Sequence, residues 1–224
     1  MLISSSRPPY IVTDLIEGVD LGTALSREPV LETGRIVHIL TQILEGRAYL
    51  HGQGIIHRDT KPANILLNGV SEVKIADFGL ARFDDETQIT MVGDIHGTIP
   101  YLPPEIIQGE SSSAAGDLYS FGVVAWVMLR GEPPFQASTA SKWLEVIVTT
   151  PVPQLEPVPH DLQIDIRNLI PQLLDKIPER RPTAAEALRL FRKSSIVNSI
   201  KSRKGQIASS DGELESESGP KSRC

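Results

Sequence analysis

The segment His57-Arg58-Asp59-Thr60-Lys61-Pro62-Ala63-Asn64 gathers an imidazole, a guanidinium, a carboxylate, an ammonium and a carboxamide, and Asp77-Phe78-Gly79 follows thirteen residues after Asn64. Together these residue types offer positive charge, a carboxylate and an amide oxygen, groups suited to positioning a substrate and neutralising charge. Asp-Phe-Gly alone reads as a turn of three common residues. The eight-residue segment is far more specific. Other chemistries have less support. Cys224 is the only cysteine, so an internal disulfide and a zinc site of several thiolates are excluded. His38, His51, His96 and His160 show no metal-ligand spacing and read as structural or solvent-facing.

His57 to Asn64 resembles the catalytic loop H-R-D-x-x-x-x-N of serine/threonine protein kinases, and Asp77-Phe78-Gly79 resembles their magnesium loop. The order continues with Gly97-Thr98-Ile99-Pro100-Tyr101-Leu102-Pro103-Pro104-Glu105, similar to the substrate-positioning loop and A-P-E motif, with Pro103 in place of the usual alanine. Asp117-Leu-Tyr-Ser-Phe-Gly122 resembles the family's central buried helix, and Arg181-Pro182 its final arginine motif.

The resemblance implies a role for each residue. Asp59 accepts or orients the substrate hydroxyl proton, Lys61 offsets charge on the transferred phosphate, Asn64 and Asp77 hold Mg2+, and Thr98 bonds near Asp59 and Lys61. Arg58 before Asp59 implies an activation loop ordered by phosphorylation, with Thr87 and Thr90 as candidates. His57 and Asp117 are structural, and Glu105 and Arg181 form a buried ion pair. Tyr10-Ile-Val-Thr-Asp-Leu-Ile-Glu-Gly18 resembles the last small-lobe strand and the hinge. On that alignment Thr13 is the gatekeeper, Asp14, Leu15 and Ile16 form the hinge beside ATP, and Leu66 lies under adenine.

The family pattern starts well before its hinge. Nothing ahead of Tyr10 matches the Gly-rich loop over the ATP phosphates, and no lysine precedes Lys61 to take the role of the strand lysine. The expected fold is therefore the mainly α-helical C-lobe of the protein-kinase (α+β) fold, with a few short strands and a residual hinge strand. Residues 1–9 are a lead-in, 10–192 an incomplete kinase domain and 193–224 a disordered polar tail. The implied activity is transfer of the ATP γ-phosphate, with Mg2+, to Ser or Thr of a protein substrate once a complete small lobe is supplied. The alternative is a non-catalytic pseudokinase-like interaction module or an inactive gene fragment. An uncovered hinge strand would pair with other chains, so a dimer or a partner kinase is expected, as is marginal solubility.

The elements that must position these residues can also be read. A β-branched strand runs from Tyr10 to Ile16, ended by Glu17 and Gly18. Ile36, Ile39, Leu40, Ile43, Leu44 and Leu50 mark an amphipathic helix from Glu32 to His51, closed by Gly52 and Gly54. Arg47 falls where that helix calls for an apolar residue. Strand, loop and strand follow between Ile55 and Ala76. Residues 80–104 read as an extended loop from their polar content and from Pro100, Pro103 and Pro104, with a helix resuming at Glu105. Asp117 reads as the cap of an apolar helix that runs to Leu129 and stops at Gly131-Glu-Pro-Pro134. Helical patterns return at Ser141 to Val148, Leu162 to Leu174 and Thr183 to Phe191, and Trp126 and Trp143 read as core.

Composition agrees with one globular domain: 40% of the 224 residues are hydrophobic and 22% charged. A net charge of −6 argues against nucleic acid or an anionic membrane surface as the main partner. The apolar run FGVVAWVML, residues 121–129, is about half the length of a membrane span. Cys224 lacks the following residues that prenylation needs, and the N-terminus lacks a secretory pattern. A cytoplasmic location is expected.

Overall fold

The computed structural model describes residues 12, 14–69, 72–77, 95–160, 162 and 164–193. The lead-in, Tyr10, Ile11, Thr13, Phe78, Gly79, Thr87, Thr90 and the tail from Ser194 lie outside the described residues.

A small antiparallel sheet opens the described chain, with β1 (Gly18–Asp20) paired to β2 (Ile65–Asn68) and β2 to β3 (Glu72–Ile75). Val19 faces Leu67 across the first ladder and Leu66 faces Lys74 across the second. The strand expected to end at Gly18 instead begins there. A Cβ at Gly18 would lie 2.1 Å from the Leu67 carbonyl oxygen, so the glycine is what allows β2 to approach. Val12 and residues 14–17 carry no ladder, and Val12 and Leu15 are 83% and 89% exposed. Residues 55–60 likewise form no strand.

Helix α1 (Leu21–Arg27) has no counterpart in the sequence reading. Asp20 starts it, its carboxylate accepting from the Thr23 N–H at 2.9 Å and the Thr23 hydroxyl at 2.6 Å. Helix α2 (Thr33–Gly52) buries the predicted stripe of Ile36, Ile39, Leu40, Ile43 and Leu44.

The stretch up to residue 104, expected to be extended, contains two helical turns where it is described, α3 (Ile95–Thr98) and a 3-10 turn at Ile99–Tyr101. Pro100 stands in the first positions of that 3-10 turn and Pro104 in those of α4 (Pro104–Ile107). Proline's fixed φ and missing N–H suit a helix start, so these prolines initiate turns rather than only breaking them.

Helix α5 (Ala114–Arg130) is the centre of the core, with Leu118, Tyr119, Phe121, Val123, Val124 and Ala125 buried and Gly131 ending it in the left-handed conformation. Its cap is Ser113, whose hydroxyl accepts from the Gly116 N–H at 3.1 Å. Asp117, expected to cap, lies one turn inside and is buried, because its carboxylate is engaged by the loop at residues 57 and 58. Helices α6 (Ala140–Thr149), α7 (Ile164–Leu173) and α8 (184–193) complete the bundle. Phe121 meets Phe191 edge to face at 6.3 Å, and Trp126 is buried while Trp143 packs against the core.

Gly122 sets the spacing of α5 and α7, since a Cβ there would lie 2.9 Å from Leu173 Cβ and 3.1 Å from Leu174 Cδ2. Gly122→Ala is expected to overpack this contact and lower stability by about 1–3 kcal/mol, read as a lower urea midpoint at unchanged slope. Among the described residues no helix is long and apolar enough to cross a membrane.

Candidate active site

Among the described residues two non-glycine residues have left-handed backbones, Arg58 at φ 73° and Asp77 at φ 54°. Such conformations are costly and persist where surrounding contacts over-determine them. At Arg58 the contact is visible: its N–H donates to Asp117 Oδ1 at 2.9 Å, and the His57 N–H donates to Asp117 Oδ2 at 2.8 Å. The buried helix α5 thus holds the loop by two backbone hydrogen bonds.

That loop brings polar groups together above the core. Asn64 Nδ2 donates to the Asp59 carbonyl at 2.8 Å and to Asp59 Oδ2 at 2.9 Å. Lys61 Nζ lies 3.0 Å from Asp59 Oδ2 and donates to Thr98 Oγ1 at 3.2 Å. Asn64 is buried, whereas Asp59 keeps 35% of its side-chain surface exposed, enough to meet a substrate group. The Ala76 N–H donates to the Asn64 carbonyl at 2.9 Å, so the β2–β3 ladder carries Asp77 to the same end as Asn64.

His57 is buried beneath this cluster, with Nε2 2.9 Å from the Ala76 carbonyl and Nδ1 3.3 Å from the Asp59 N–H. Burial and then the Arg47 charge push its pKa below the ordinary value. The neutral ring with Nε2 donating and Nδ1 accepting satisfies both partners. Because the unfolded chain binds a proton near pH 6.5 that the folded ring resists, this stability is full above about pH 6.5 and falls as acid is added. The thermal midpoint is expected to drop between about pH 6.5 and 5, and His57→Asn to remove most of that slope.

Asp117 collects four donors. Besides the two backbone N–H groups, His51 Nε2 lies 3.0 Å and Arg47 Nη1 3.3 Å from Oδ2. Burial pulls the carboxyl pKa upward, but the His51 hydrogen bond, the Arg47 charge and the two N–H groups outweigh it and hold it below the ordinary value. Arg47 has one carboxylate to set against burial, so its pKa is lowered, yet a guanidinium starts so high that it stays charged.

Arg181 and Glu105 form a bidentate pair, Nη1 to Oε1 at 2.7 Å and Nη2 to Oε2 at 2.8 Å, with side chains 0% and 3% exposed. Arg181 also donates to the Ala115 carbonyl at 3.0 Å and the Asp175 carbonyl at 2.8 Å, and lies 5.0 Å from the Tyr119 ring centre. Ser120 Oγ donates to the Tyr101 carbonyl at 2.7 Å, tying the Thr98-bearing turns to α5.

The predicted hinge and adenine residues are less concentrated. Asp14 and Leu15 are exposed, Ile16 is half-buried, and Leu66 opposes Asp20 on β1 and Lys74 on β3. Arg47, Thr60 and His51 escaped sequence reasoning as parts of the site. The available signal was Arg47 itself, a charge on the buried stripe of α2.

The protein kinase domain family model matches residues 2–190. The chain is 32% identical over 178 residues to the probable serine/threonine-protein kinase pknA2 of Bifidobacterium longum, a match covering 80% of this chain and 24% of that protein. It is 36% identical over 183 residues to the serine/threonine-protein kinase PknB of Mycobacterium tuberculosis, covering 80% and 29%. It is 35% identical over 175 residues to PknA of the same organism, covering 78% and 40%. The chain thus spans between about a quarter and two fifths of the length of these relatives. On the family match and these kinase relatives, the chain belongs to the protein kinase domain family.

Proposed function

We propose that this chain is the hinge and large lobe of a serine/threonine kinase domain, residues 10–192, and that its loop cluster transfers the ATP γ-phosphate to a Ser or Thr hydroxyl of a protein substrate. The family generally uses ATP and Mg2+. The observation that carries the reading is the contact set Asp59–Lys61–Thr98–Asn64, in which one carboxylate oxygen meets an ammonium at 3.0 Å and an amide at 2.9 Å.

Asp59 takes or orients the proton of the acceptor hydroxyl, its partners holding the carboxylate in one rotamer. Lys61, within reach of both Asp59 and Thr98, neutralises charge on the moving phosphoryl group. Thr98 fixes the Lys61 ammonium and the substrate loop relative to each other.

Mg2+ takes hard oxygen donors, commonly one or two carboxylates completed by substrate phosphates. With its amide nitrogen committed to Asp59, Asn64 has a carbonyl oxygen to offer, and Asp77 offers an exposed carboxylate. These residues fit such an ion. Among the described residues no cluster of three or more His, Cys, Asp or Glu side chains competes as a metal site. Bound Mg·ATP supplies the phosphoryl group and the charge screening. Asp14, Leu15, Ile16 and Leu66 would border the adenine, with Thr13 as gatekeeper. Thr87 and Thr90 would be the activation-loop acceptors, and a cytoplasmic location suits an ATP-dependent enzyme.

A non-catalytic interaction module is the second reading, favoured by exposed Val12 and Leu15, which would suit a second copy or a partner kinase. Isothermal titration of ATP into the chain separates the two. The catalytic reading expects Mg2+-dependent binding that Asp77→Asn weakens by about tenfold or more. No detectable binding, or binding indifferent to Mg2+, would favour the module.

A further inference from the structure

Arg47 is a charge on the otherwise apolar stripe of α2. The side chain is fully buried and continues the stripe of Ile36, Ile39, Leu40, Ile43 and Leu44. Its Nη1 reaches Asp117, the carboxylate that holds the His57 and Arg58 N–H groups. Its Nη2 donates to Thr60 Oγ1, the hydroxyl of the residue between Asp59 and Lys61, and Thr60 is itself buried. Nε has no hydrogen-bond partner among the described residues. A buried ion pair so imperfectly satisfied is a weak source of stability, since replacing both of its partners by apolar residues of similar size is often neutral or better. What a guanidinium adds is direction, because its donors are fixed in one plane.

We propose that Arg47 and Thr60 form a positioning pair that fixes the backbone from Arg58 to Lys61, and so the aim of Asp59 and Lys61, from below. Arg47 grips the loop at two points, directly at Thr60 and through Asp117 at residues 57 and 58. The strained Arg58 backbone sits at the first of those points, where a loop held at one end only would relax. The pairing is mutual. A valine at Thr60 would leave a buried N–H unanswered, and a leucine at Arg47 would leave a buried hydroxyl unanswered. That the held loop serves phosphoryl transfer rests on the function proposed above; that the pair holds the loop does not.

Hydrogen–deuterium exchange on the full 224-residue chain tests the pair without any assay of activity. In the double variant Arg47→Leu/Thr60→Val the hydroxyl and its donor go together but Asp117 stays buried without its guanidinium. The thermal midpoint is therefore expected to fall by about 6 °C or more, while amides 57–61 exchange at least about tenfold faster and gain more than those of α2 and α5. Thr60→Val alone should speed the same amides and lower the midpoint by about 3–6 °C. Thr60→Ser, which keeps the hydroxyl, should exchange like the parent. Unchanged exchange at 57–61 in both valine-containing variants, or faster exchange spread evenly over α2 and α5, would overturn the pair. So would Thr60→Ser behaving like Thr60→Val. If the exchange pattern appears as expected but Mg2+-dependent ATP binding is absent from the parent, the pair stands and the catalytic reading fails.

Discussion

Glu105→Ala should destabilise the chain by about 3–5 kcal/mol, the range measured when one partner of a buried ion pair is removed. The reason is what remains. Arg181 would keep the Ala115 and Asp175 carbonyls, but its charge would stay in a site 0% exposed with no carboxylate beside it. Stability of a domain this size is itself about 5–15 kcal/mol, so the variant should retain little folded margin. Urea unfolding followed by circular dichroism reads the effect. The companion variant Glu105→Met/Arg181→Met should recover most of the loss, because removing both charges also removes the cost of burying them. Equal losses in the single and double variants would show that the contact works by packing instead.

The largest effect on chemistry is expected from Asp59→Asn. An amide cannot take the hydroxyl proton, and positioned acid–base groups contribute about 10²–10⁴ in rate. With a kinase small lobe joined ahead of residue 10, phosphate transfer should fall by that factor while Mg·ATP affinity changes by less than about threefold. The fold should be little touched. Asp59 is partly exposed, and the Asn64 bond to its main-chain carbonyl survives the substitution. A fall in thermal midpoint beyond a few degrees would instead make Asp59 structural, and unchanged transfer would remove it from the mechanism.

The sequence was most legible where chemistry and periodicity coincide. The stripe of α2, the apolar run of α5 and the Asp59–Asn64 spacing each follow from local rules, and the contacts among Asp59, Lys61 and Asn64 arise within one loop. What was misread depends on partners remote in sequence. Asp117 has the composition of a cap, but its role is set by residues 57 and 58 on a loop about sixty positions earlier. Gly18 reads as a strand stop until the Leu67 carbonyl is seen against its missing Cβ. Arg47 broke its helix pattern visibly, yet only the fold brings Thr60 and Asp117 to it. The proline turns near residue 100 show the reverse case, in which a loop signal also fits a helix start.

The central claim is that this lobe supplies the proton-handling and metal-holding half of a phosphoryl-transfer site. Its most direct test joins the chain to a small lobe bearing a Gly-rich loop and strand lysine, and follows labelled γ-phosphate from ATP into a Ser/Thr peptide library. Phosphoserine or phosphothreonine that forms only with Mg2+, and is lost in Asp59→Asn and Asp77→Asn, is the result predicted. A chimera that binds Mg·ATP yet transfers no phosphate, or transfers it equally well without Asp59, would contradict the claim.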